Sequence, residues 1–97
     1  MTRDVLAFPK PSRLKSPGYL AWIRRQPCLV DYVVAQAHHS ITRGRGGSDY
    51  RCVPLCVRHH NEVHRMGSTS FEAKYRLDFM EEVIRLLEIF ISARGEA

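Results

Sequence analysis

The chain has 97 residues, 44% hydrophobic and 26% charged, the composition of one ordinary soluble domain, and no apolar run nears the roughly 18 residues a membrane helix needs. Fifteen Lys and Arg against ten Asp and Glu give +5 with the histidines neutral, which points to a nucleic-acid partner. Three cysteines are an odd number, so metal ligation or burial is expected instead of a disulfide framework, and without a signal-length apolar segment a cytoplasmic location is expected.

Residues 1–15 carry Arg3, Lys10, Arg13 and Lys15 among Pro9 and Pro11 with little periodicity. They read as a basic, flexible arm able to lie along a phosphate backbone or to remain solvated, ahead of a single domain over 16–97. Ser16-Pro17 supplies an N-cap and a first helical position, which predicts a helix over about 17–25 closed by Gln26-Pro27. Tyr19, Trp22 and Ile23 face the core, and Arg24 and Arg25 face solvent. From Cys28 the run CLVDYVVAQA, with Tyr32, Val33 and Val34, predicts a strand that delivers His38 and His39.

The stretch SITRGRGGSDY, with three glycines at 44–47, is a loop. Arg51 to Leu55 has strand character, stops at Pro54, and returns antiparallel to the first strand. Cys56 to about Met66 predicts a helix that carries His60 and His64 on one face and Cys56 and His59 on an adjacent stripe. Gly67 is its stop. Thr69-Ser70-Phe71-Glu72 has capping-box spacing and opens a short helix, and Asp78-Phe79-Met80-Glu81 opens a longer one to about Ala93. The apolar surface of that helix, including Met80, Val83, Ile84, Leu87 and Ile91, is expected in the core, with a dimer interface as its other use.

All five histidines and two of the three cysteines fall between Ala37 and His64. A strand ending in His38-His39 and a helix presenting His60 and His64 can set three imidazoles around one divalent ion with positions left open, as a catalytic metal site requires. Neighbours on a strand point to opposite sides, so one of the pair binds metal and the other can act as a base. Such a base would deprotonate water for attack on a phosphodiester.

Read together, His38-His39, Gly46-Gly47, Arg51-Cys-Val-Pro-Leu-Cys56, His59-His60 and His64 resemble the HNH, or His-Me finger, nuclease family. The resemblance implies an α+β fold with a small ββα-metal core, here flanked by an N-terminal helix and C-terminal helices. It further implies metal ligation by His38, His60 and His64, general-base chemistry by His39, and Mg2+, Mn2+ or Zn2+ as the catalytic ion. The flanking SPGYLAWIRRQPC and HRMGSTSF are similar to phage- and prophage-encoded members, including RecA-dependent nucleases of the Ref type, which brings in a recombinase filament as a partner.

Two departures from the family pattern stand out. Where many relatives carry paired Cys-x-x-Cys knuckles for a structural zinc, this chain has Cys28 with Asp31 and Cys56 with His59; these four either form a weaker zinc site or are packing residues. Cys52 has no partner in the pattern and is expected to be buried. Arg51 stands in place of the family's central Asn and cannot accept a hydrogen bond. Asp49 either braces the loop or orients a histidine in its stead, or Arg51 holds a substrate phosphate. Arg43, Arg45, Arg58 and Arg65 flank the site in sequence and favour a DNA backbone as a group. The expected function is therefore a metal-dependent DNA endonuclease, against a non-catalytic zinc-stabilised DNA-binding module or an accessory protein in recombination or packaging.

Overall fold

The computed structural model describes residues 13–41 and 47–94, and its first helix, α1, runs over Pro17–Arg24. The Ser16 hydroxyl accepts from the Tyr19 N–H at 3.1 Å and Pro17 needs no partner for its nitrogen, so both signals for the start operate as read. Gln26 folds its side-chain amide back onto the Trp22 carbonyl at 3.1 Å, and Pro27 prevents continuation. Tyr19 and Ile23 have no exposed surface, and Trp22 packs on Phe90 with ring centroids 5.2 Å apart.

The strand expected from Cys28 is a turn over most of its length. Strand β1 is confined to Gln36–His39. The Tyr32 N–H donates to the Cys28 carbonyl and the Cys28 N–H to the Val33 carbonyl, both at 2.9 Å, and Asp31 Oδ1 accepts from the Val33 N–H. A strand would send Cys28 and Asp31, three residues apart, to opposite faces; the turn brings them to one side. Its β-formers gain nothing by pairing and lie in solvent, Val34 being 88% exposed.

Strand β2, Cys52–Leu55, follows a 3-10 turn over Asp49–Arg51 and pairs antiparallel with β1, His38 opposite Val53 and His39 opposite Cys52. It runs through Pro54 instead of stopping there. The Ser40 N–H donates to the Arg51 carbonyl at 3.1 Å. Alternation from that bond makes Ala37 and Pro54 a non-hydrogen-bonded pair, so the ladder asks no donor of the proline.

Helix α2 covers Val57–Met66, with Cys56 at its N-cap position. Gly67, at φ 88°, joins it to helix α3, Ser68–Tyr75. The expected capping box at Thr69 does not form, because Thr69 lies inside α3 and the Glu72 carboxylate instead accepts from the Phe79 N–H at 2.6 Å. That bond and the Asp78 side chain, which accepts from the Glu81 N–H, start helix α4, Phe79–Ala93. Phe79, Val83 and Leu86 of α4 join Tyr19, Ile23, Cys28, Cys52, Val53, Leu55, Val63 and Phe71 in one core. Met80, Ile84 and Ile91 remain about half exposed. Among the described residues the fold is α+β: four helices around a two-stranded antiparallel sheet.

Candidate metal centre

The two histidines at the end of β1 diverge as the pleat requires. His38 is 5% exposed and meets α2, with ring centroids 5.1 Å from His60 and 5.3 Å from His64, which are themselves 4.8 Å apart. One ligand atom from each of the three lies within 4.8 Å of the others. Phe79 of α4 closes the apolar side of His38, its ring centroid 5.7 Å away.

His38 Nε2 is buried without a partner, a state that costs about 1–3 kcal/mol and that ligation of a metal ion would relieve. Burial, reinforced by His60, His64 and His39, pushes His38 down to about 4, and burial with His64 and His39 lowers His60 as well. Neutral imidazoles are the ligating form. Gln36 Oε1 accepts from His60 Nδ1 at 2.7 Å, so that nitrogen is the protonated one and the lone pair sits on Nε2. Gln36 was not among the expected site residues. Its place two residues before His38, on the same face of β1, is the signal that marks it.

His39 lies across the strand from the trio. Its Nε2 bonds Asp49 Oδ1 at 2.9 Å. Asp49 is buried, which pushes its carboxyl up, but hydrogen bonds from His39, the Ser16 backbone and Arg13 outweigh this and hold it down at about 2. An ionised carboxylate only accepts, so His39 Nε2 is the donor in this bond. Of the two roles open to Asp49, both are occupied: it orients a histidine and it ties the turn to the Leu14 carbonyl and the Ser16 N–H.

The second cluster joins the turn after α1 to the start of α2. Cys28 Sγ and Cys56 Sγ lie 3.8 Å and 3.1 Å from His59 Nδ1, while Asp31 Oδ2 is 3.4 Å from both Cys56 Sγ and His59 Nδ1. A tetrahedral zinc with bonds of about 2.0 Å to N or O and 2.3 Å to S has ligand edges of roughly 3.3–3.8 Å; three of the four contacts fall in that range and the Cys56–His59 contact is slightly shorter. The Val30 N–H points at Cys28 Sγ from 3.4 Å. Without a metal, burial raises the Cys56 thiol, whereas the Cys28 thiol beside Asp31 lowers that carboxyl. Cys52, at the start of β2, is buried in the core, and no disulfide joins the three cysteines.

Among the described residues, the basic side chains of the expected interface take separate places. Arg13 is ion-paired to Asp49 Oδ1 at 2.6 Å. Arg58 and Arg65 line a surface cavity with His59, Asn61, Glu62 and Tyr75, on the side of α2 turned from the His trio. Arg51 enters the described network through its carbonyl, which accepts from the Ser40 N–H and hydroxyl. Lys15 is exposed, and Lys10, Arg43 and Arg45 lie outside the described residues.

Over residues 2–92 the chain matches the model of a family described as a protein of unknown function, DUF968, and it belongs to that family. Its sequence is similar to that of the uncharacterized protein YdfU of Escherichia coli (strain K12), 37% identical over 76 residues. That match covers 72% of this chain and 22% of YdfU, so the chain spans under a quarter of its relative's length. No solved structure matches. Neither name specifies an activity.

Proposed function

We propose that the chain is an HNH-type, metal-dependent endonuclease that hydrolyses DNA phosphodiester bonds. The observation that carries this reading is the division of the His pair: His38 joins His60 and His64, and His39 turns the other way onto a buried, ionised Asp49. A purely structural site has no need of a second imidazole so held. His38, His60 and His64 would hold Mg2+, Mn2+ or Zn2+. When bound, the ion supplies stabilisation of the charge that builds on the phosphate and leaving oxygen.

The remaining chemistry belongs to the chain's own groups. His39 Nδ1 takes a proton from the water that attacks phosphorus, and Asp49 stabilises the imidazolium that results. Gln36 holds the His60 ring. Cys28, Asp31, Cys56 and His59 would hold a structural zinc, which would fasten the turn after α1 to α2. The ββα-metal assignment is supported by the order β1, β2, α2 with the histidines at the strand end and on the helix. The same resemblance makes a recombinase filament the partner to test by pull-down.

Cleavage of supercoiled plasmid with Mg2+, Mn2+ or Zn2+, alongside measurement of bound metal, tests the reading. His39→Ala should cut on the order of a hundredfold more slowly or worse while retaining the native metal content. A native chain that binds zinc and DNA yet cuts with none of these ions would instead be a zinc-stabilised DNA-binding module.

A further inference from the structure

The Asp49 carboxylate gathers three donors from two separate parts of the chain, segment 13–16 and the end of β1. Oδ1 accepts from both Arg13 Nη1 at 2.6 Å and His39 Nε2 at 2.9 Å, and Oδ2 accepts from the Ser16 N–H at 2.8 Å. The Asp49 N–H donates in turn to the Leu14 carbonyl at 3.0 Å. Asp49 itself is 3% exposed and the Arg13 side chain 20%, so the pair is shielded in a way that surface ion pairs are not.

Segment 13–16 is anchored at its far end as well. Ser16 caps α1 through its hydroxyl, and α1 is packed into the core by Tyr19 and Ile23. The 3-10 turn that bears Asp49 is only three residues long and leaves the carboxylate two rotatable bonds. With Arg13 on one oxygen and the Ser16 N–H on the other, a single orientation remains, and in that orientation Oδ1 receives His39 Nε2.

We infer that Arg13 is a positioning residue: by holding the Asp49 carboxylate against segment 13–16, it sets the orientation and tautomer of His39. Its catalytic consequence rests on the nuclease reading; its geometric consequence does not. The rival role, phosphate binding by an arm arginine, predicts a different phenotype.

The test uses the full 15N-labelled chain and its Arg13→Ala and Arg13→Lys variants at neutral pH, with imidazole 1H–15N spectra recorded beside plasmid cleavage. Native His39 should show one tautomer protonated at Nε2. Arg13→Ala should give an averaged pair of tautomers and a kcat lower on the order of tenfold at unchanged KM, the usual size of losing an outer hydrogen-bond partner. Arg13→Lys should restore most of both. An Arg13→Ala variant that is folded and keeps the native His39 tautomer and kcat overturns the inference, as does a raised KM alone, which would mark a DNA contact. If Arg13→Ala does not fold, Arg13→Gln, which keeps a donor but no charge, is judged by the same criteria. Should no variant or native chain cut DNA while the His39 tautomer still follows residue 13, the nuclease reading fails and the positioning role stands.

Discussion

His38 is a buried base whose surroundings oppose its charge. Unfolded, its imidazole takes a proton near 6.5; folded, it does so only at about 4. Between those values the unfolded chain binds more protons, so the stability this residue contributes is fully present above about pH 6.5 and is lost as pH falls toward 4. The shift corresponds to a term on the order of 3 kcal/mol, and the lowered His60 adds to it in the same direction. Urea unfolding of the metal-depleted chain should therefore show a loss of stability between pH 7.5 and 4.5 that His38→Gln reduces by roughly that amount. Equal acid losses in both proteins would remove His38 from the account. At this scale much was legible, since the period of two separates His38 from His39 and the spacing of four joins His60 to His64. Asp49 orienting a histidine was among the expected alternatives, but Arg13 as its second partner was not, because Arg13 lies 36 residues from Asp49 and meets it only after α1 has docked.

The turn between α1 and β1 is the element whose type the sequence misstates. Tyr32 follows Asp31 directly, sits at φ 63°, and is 75% exposed, so no burial of its ring offsets a backbone conformation that L residues resist by roughly 1–2 kcal/mol. Tyr32→Gly removes that strain at a smaller cost in chain entropy, so the melting temperature should stay level or rise by a few degrees. Tyr32→Val, β-branched in the same backbone state, should lower it, and the reverse order would mean that the turn is not held as described. Helix α4 shows the converse case, with its type and start read correctly from Asp78. Only one side of its apolar surface is covered: Phe79, Val83 and Leu86 are buried, while Met80, Ile84 and Ile91 stay open.

Across the whole chain, the second cluster ties the turn after α1 to the head of α2 over 25 to 31 residues of sequence. A chain of 97 residues draws limited stability from its core, so a metal bound only by the folded state counts heavily. At a thousandfold excess over Kd such an ion contributes about 4 kcal/mol, and each kcal/mol moves the midpoint of a domain this size by roughly 4–8 °C. Depleting zinc with a chelator should lower the melting temperature by roughly 10 °C or more, and adding zinc back should restore it. Cys28→Ser should melt near the depleted native chain and respond little to chelator. A native melting curve indifferent to chelator would reduce the four residues to packing.

The sequence alone determined the helices with strong local signals and the burial of Tyr19, Ile23 and Cys52, because capping and helical period are local properties, whereas both candidate ligand sets came from the family resemblance. It left open whether Cys28 and Asp31 lie on one side, what Asp49 contacts, and where Arg13 goes. Tertiary structure decided these. The turn over 28–33 outweighs the β preference of Tyr32, Val33 and Val34 through hydrogen bonds that no propensity encodes. Gln36 and Arg13 acquire their partners only when β1 meets α2 and segment 13–16 meets the 3-10 turn. Spacing along the chain can nominate ligands, but a carboxylate shared among distant donors exists only once the chain has folded back on itself.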